Sequence, residues 1–226
     1  MDLLDWARGP LLVASLAICG AGIGWRLLWL WRMPAGGRGG APARVDYGKA
    51  AAFRAALTRT LPPGGFHPSA TLVTANPYVF HIGLLVVFLG YAPHIAFIHR
   101  LTGLTWPALP DLVMYIAAAG TIVSLLMALL FRLTDPVLRQ ISHADDWITW
   151  TVTFLPVLTG MALVGDPSDT ILSRDHVIYR APLAVHLLSL ELLLVWFPFG
   201  KLMHALLVWP GRMQLATFFG RRGVRS

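Results

Sequence analysis

His186-Leu-Leu-Ser-Leu-Glu-Leu-Leu-Leu-Val-Trp-Phe-Pro-Phe-Gly-Lys-Leu-Met-His204 is a run of nineteen residues in which two histidines close off an apolar stretch carrying one acid, Glu191. Its length approaches the roughly 20 apolar residues that take a helix across about 30 Å of hydrocarbon. The segment therefore reads as a membrane span with an imidazole near each end. His81 and His94 bracket a second run of the same build. The whole chain agrees, because hydrophobic residues make up 56% of its 226 positions and charged residues only 13%, a balance that excludes a soluble globule.

Five spans are expected, at residues 10–31, 77–99, 111–131, 147–164 and 181–209. The first is too long for a signal-peptide core of about 7–15 residues, and Asp2 and Asp5 precede it, so it reads as a retained helix. Ten-residue segments of alternating polarity, the mark of a membrane β-barrel, do not occur. The expected fold is all-α, an integral membrane five-helix bundle formed as one domain over residues 1–226, with a basic loop at 33–76 and a tail at 210–226.

Charge sets the expected orientation. Arg32, Arg38, Arg44, Lys49, Arg54, Arg59, Arg132, Arg139, Arg212, Arg221, Arg222 and Arg225 fall on one side of such a bundle. The other side holds Arg8, Arg100, Arg174 and Arg180 among Asp166, Asp169 and Asp175. The positive-inside rule then puts the amino terminus outside and the carboxyl terminus in the cytoplasm, as a multi-pass protein of the cell inner (plasma) membrane. The net charge of +7 is absorbed by this topology, which argues against a nucleic-acid partner. Within the first loop, residues 47–61 read as a short amphipathic helix that lies on membrane lipid or receives a partner.

Histidines inside a span need a partner, and a neutral ring can give a lone pair to a metal. With Cys19 as its single cysteine, the chain cannot by itself hold a cysteine-ligated cluster or attach haem covalently. On a continuous helix His186 and His204 would stand about 27 Å apart on one side. Because the second and fifth spans run oppositely, His81 should meet His204 toward the cytoplasm and His94 should meet His186 toward the exterior. Each pair is expected to ligate one non-covalent haem b. Thirteen residues put His81 and His94 on different faces of an ideal helix, which a kink at Pro93 can correct. His99, eighteen residues after His81 and in phase with it, is the rival ligand at the membrane boundary. His67, His143 and His176 fall in expected loops.

Phe80-His81-Ile82-Gly83 with Phe88-Leu89-Gly90, the basic stretch from Arg132 to Asp146, and His186 to His204 with Phe197-Pro198-Phe199 and Lys201-Leu202-Met203-His204 resemble the gamma subunit of respiratory nitrate reductase and its relatives. These are membrane cytochromes b with five helices and two haems. Where that family has a Gly-His pair ten residues after its first ligand, this chain has Gly90-Tyr91. The displaced role falls to His94. Membrane cytochromes of heterodisulfide-reductase-like and dissimilatory sulfur-metabolism complexes are similar in architecture. The resemblance implies electron transfer between quinone, with quinol oxidised on the outer side, and a cytoplasmic iron–sulfur subunit and catalytic subunit of a respiratory oxidoreductase complex.

Lys201, three residues before His204, is expected either to face haem propionates or to anchor at the interface. Glu191, the acid deep in a span, has a proton-transfer or quinone-contact role set against a structural hydrogen bond. Two other classes fit the same composition: a haem-free transporter whose histidines bind protons or metal, and a structural anchor for a soluble enzyme.

Overall fold

The computed structural model describes residues 2–33, 48–58, 68–163 and 177–223, and among them every regular element is helical. Helix α1 (Leu3–Arg8) leads into α2 (Pro10–Arg32), with Pro10 in the first turn, where a missing N–H costs nothing. Helix α3 (Lys49–Thr58) lies in the basic loop. Then come α4 (Pro68–Gly90), α5 (Ala92–Thr102), α6 (Asp111–Thr134), the short α7 (Pro136–Gln140), α8 (Ala144–Met161), α9 (Val177–Trp196), a 3-10 turn at Lys201–Met203 and α10 (His204–Arg221).

Among the described residues three stretches are long and apolar enough to cross a membrane: Leu3–Arg32, Leu72–Gly90 and Asp111–Thr134. A fourth is available where Arg180–Trp196 and Lys201–Arg221, bent by 79° at their junction, form one broken span. Helix α8, with Asp145 and Asp146 in its first turn, does not reach that measure. By length and composition this is an all-helical membrane protein.

Two expected spans are not continuous. The second breaks at Tyr91, whose extended backbone (φ −81°, ψ 127°) starts α5 with Pro93 in its first turn. Proline cannot donate into the helix ladder, so the chain restarts in a new direction. The fifth breaks after Trp196: Phe199 and Gly200 both donate to the Trp196 carbonyl, and Pro198 has no N–H to continue the helix. The expectation of one straight helix from His186 to His204 is corrected accordingly. Residues 210–221 likewise belong to a helix, and the end of the expected fourth span, Val164, lies outside the described residues.

Packing runs from helix to helix through small residues and local polar ties. Against α6, α4 presents Gly83, where an added Cβ would sit 2.3 Å from Thr121 Oγ1. Asn76 Nδ2 donates to the Ser124 carbonyl at 3.0 Å, and the Ser124 hydroxyl donates back to Asn76. Trp150 Nε1 on α8 donates to the Leu125 carbonyl of α6, and Trp196 Nε1 on α9 donates to Thr149 of α8. Gly22 of α2 makes room for Pro198, whose ring would meet a Cβ there at 2.6 Å. Helices α4 and α9 are not packed closely on one another among the described residues.

Outside this series, α3 lies on α10 through buried Ala52, Ala55 and Ala216 and the stacked rings of Phe53 and Trp209. The amphipathic stretch of the loop therefore has an intramolecular partner. At the opposite end Leu4, Leu163, Leu183 and Ala184 form a buried cluster, and Arg180 of α9 engages Asp2 and Asp5.

Gly83→Val forces a branched side chain into Thr121, and overpacking of this kind costs about 1–3 kcal/mol. Gly20→Ala, with nothing within 4 Å of the new Cβ, leaves stability unchanged. Thermal unfolding of the two variants in detergent checks the contrast. Hydrogen bonds from the Asp5 N–H and from Arg180 hold the Asp2 carboxyl below its ordinary value of 3.8. The stabilisation is complete above 3.8 and is lost as pH falls through the lowered value. The thermal midpoint of the wild type should therefore fall toward that of Asp2→Asn in acid, and the two should coincide at the lowest pH.

Candidate paired-histidine site

Four of the expected site residues are brought together in two pairs. His81 of α4 and His204 at the start of α10 have ring centres 5.9 Å apart with planes at 88°. His94 of α5 and His186 of α9 have ring centres 6.3 Å apart with planes at 18°. The break at Tyr91 puts His94 into this position. His99, further along α5, is exposed and caps the helix through its carbonyl, which accepts from the Gly103 N–H at 2.8 Å. His143 precedes α8 and donates its backbone N–H to Asp146. His67 and His176 lie outside the described residues.

Each paired imidazole has one nitrogen tied down. His81 Nδ1 lies 2.6 Å from the Pro77 carbonyl, His94 Nδ1 3.1 Å from that of Val87, and His204 Nδ1 2.8 Å from that of Lys201. A carbonyl only accepts, so in these three rings Nδ1 carries the proton and Nε2 keeps its lone pair. His186 Nδ1 lies 3.1 Å from the Thr159 hydroxyl, which also lies 2.7 Å from the Leu155 carbonyl and 3.0 Å from the Ser189 hydroxyl. Ser189 closes the group, donating to the His186 carbonyl at 2.6 Å. Gly160 lies against the same imidazole: a Cβ there would come within 3.0 Å of His186 Cε1.

The proline break that makes His94 available also supplies its surroundings. Val87 belongs to the last turn of α4, seven residues back, so its carbonyl can be reached only because the chain turns at Tyr91. Tyr91 itself packs edge-on against the His94 ring, with centres 5.4 Å apart, and Phe88 lies 5.8 Å away. At the other pair, Phe80 stands edge-on to His81 at 4.9 Å.

Metal–imidazole nitrogen distances of about 2.0–2.1 Å put two rings on opposite sides of one metal with their centres roughly 6 Å apart. Both pairs match that spacing. Among the described residues no group of three or more His, Cys, Asp or Glu side chains is placed to hold a metal ion. Each pair would offer two imidazoles to a metal whose remaining positions another group fills.

Lys201 is drawn onto Asp146, a buried carboxylate that also lies 3.3 Å from Arg132. Two cations from α6 and the 3-10 turn thus share one acid at the start of α8. Arg26 of α2 donates to the carbonyls of Pro198 and Phe199 at 3.1 and 3.2 Å. These contacts, with Gly22, position the corner from which His204 projects. Sequence reasoning did not single out Arg26 or Asp146 for this task; the signal was a charged residue near the end of each of two apolar helices. A cavity of about 750 Å³ between α4 and α6, lined by Tyr78, Val79, Ile82, Gly83, Val113 and Ile116 among others, includes none of the histidines. Glu191 is buried, and its Oε1 has no hydrogen-bond partner.

Fold and site together define a helical membrane protein with two imidazole pairs bridging separate helices. No family model matches the chain, and no solved structure matches it. It is 30% identical over 223 residues to a protein of Nitratidesulfovibrio vulgaris (strain Hildenborough) designated simply "Protein", with 95% of this chain and 93% of that one covered. The chain belongs to the same family as that protein, whose designation carries no activity.

Lys201→Ala leaves the buried Asp146 with Arg132 as its cation and should cost about 1–3 kcal/mol, the range for weakening a buried charge-assisted bond. Lys201→Arg should cost less. Chemical denaturation of the purified variants distinguishes them.

Proposed function

We propose that the chain is a dihaem b-type membrane cytochrome subunit. His81 and His204 would hold one haem and His94 and His186 the other. The observation that carries this reading is the pair of ring spacings, 5.9 and 6.3 Å, combined with Nδ1 bonds to carbonyls that leave Nε2 of His81, His94 and His204 as the ligand atom. Haem iron bound between two such nitrogens accepts and gives up one electron at a time.

The protein's own part is to hold the imidazoles in one tautomer and one orientation. Pro77, Val87 and Lys201 do so through their carbonyls and Thr159 through its hydroxyl, outer-shell contacts of a kind whose loss typically costs 10- to 100-fold in metal affinity. Apolar helices exclude water from the path between the pairs. Arg26, Arg132, Arg139 and Lys201 outnumber Asp135, Asp145 and Asp146 at this end of the bundle, a positive balance suited to haem propionates.

In the proposed arrangement five spans, with α8 as the fourth and the broken α9 as the fifth, put the amino terminus outside and the basic ends in the cytoplasm of a cell inner membrane. Electrons would pass between quinone at the His94–His186 side and a cytoplasmic iron–sulfur subunit and catalytic subunit at the His81–His204 side. The resemblance to nitrate reductase gamma subunits and their sulfur-metabolism relatives supports this placement. The α3–α10 pair, at the same end as His204, is the surface for such a partner.

Reduced-minus-oxidised absorption of the purified full chain tests the reading. The expected result is a sharp b-type band with two haems per chain. His94→Ala and His186→Ala should each lose one haem, His81→Ala and His204→Ala the other, while His99→Ala keeps both. A folded wild-type chain that stays colourless after supply of haem overturns it.

A further inference from the structure

Glu191 is the buried acid to which the electron-transfer reading gives no task. It is 6% exposed, and Oε1 is enclosed without a hydrogen-bond partner. On α9 it lies five residues after His186, about 7.5 Å further along the axis. That places it between the two imidazole pairs in depth, about 140° round the helix from His186.

The elements packed on α9 offer it no counter-charge. Between Pro10 and Trp25 of α2 the sole ionisable side chain is Cys19, a buried free thiol, and Arg26 is committed to the Pro198 and Phe199 carbonyls. After Asp146, α8 has no ionisable residue. Asp145 accepts from Thr149, and Asp146 is held by Lys201 and Arg132. On α1, Asp2 and Asp5 are taken by Arg180 and Arg8 is engaged elsewhere. The nearest titratable groups along α9 itself are those of the His94–His186 pair, about one and a half turns back toward its amino end. A carboxylate with no partner in hydrocarbon is costly, and its cost depends on the charge of whatever lies closest.

We propose, resting on the two-haem reading, that Glu191 is a proton-binding site coupled to the redox state of the His94–His186 centre. With the centre reduced, the Glu191 carboxylate would take up one proton from the adjacent aqueous phase, forming its O–H bond; on reoxidation that bond would break and the proton would return to the same phase. The electron would come from a quinol, whose own proton would leave to the outer aqueous phase. One unit of charge on the order of 10 Å away, at an effective dielectric of about 20, changes a carboxyl's proton affinity roughly tenfold.

Redox titration of the purified full chain between mildly acid and mildly alkaline pH tests this. In the wild type one of the two midpoint potentials should fall as pH rises. Glu191→Gln should lose most of that slope with both absorption bands intact, and Glu191→Asp should keep it. Cys19→Ser should keep it as well. The proposal is overturned, with the haem reading intact, if Glu191→Gln retains the wild-type slope, or if Cys19→Ser abolishes it. Should the Gln variant fail to assemble, redox-difference infrared spectroscopy of the wild type decides: a protonated-carboxyl band must appear on reduction, and its absence overturns the proposal. A wild type without haem removes the parent reading and this one together.

Discussion

An imidazole set among apolar helices has two nitrogens to satisfy and no water to satisfy them. Here one nitrogen of each paired ring is tied to a neighbouring carbonyl or hydroxyl. The second is left to the space between two helices. Everything proposed for this chain depends on that division, because it converts four ordinary histidines into four directed lone pairs in a bundle otherwise lined with hydrocarbon.

Two helix breaks make the division possible. At Tyr91 the chain restarts in a new direction, which brings His94 back to the Val87 carbonyl and over to His186. After Trp196 a turn built on Pro198 and Gly200 redirects the chain by 79° and delivers His204 to His81. A straight second span would have put His81 and His94 on different faces, and the break beside Pro93 corrects that phase. His186 and His204 would share a face on a straight helix, so the second turn changes the direction of the chain, and the clasp of Gly22 and Arg26 holds it.

The remaining polar groups sort by depth. Near one end, Arg132, Asp146 and Lys201 form a shared ion cluster, and near the other Arg180 binds Asp2 and Asp5. Between them lie neutral hydroxyls that bond to carbonyls of their own helices, as Thr121 and Thr153 do, and so add little polarity to the interior. Glu191, buried with an unpartnered Oε1, departs from this order.

Composition and the spacing of apolar runs were enough to establish an all-helical membrane chain, since hydrocarbon leaves few ways to satisfy a backbone. The depth of His81, His94, His186 and His204 was also legible, because each lies near the end of an apolar run. Phase was not. Thirteen residues between His81 and His94 left His99, in phase with His81, as the rival to His94, and an unbroken reading of 181–209 missed the turn at Phe197–Gly200. Which nitrogen each ring offers, how Lys201 is paired, and whether α3 has a partner depend on contacts between residues far apart in the chain. Such contacts have no local signature, and only the packed helices decided them.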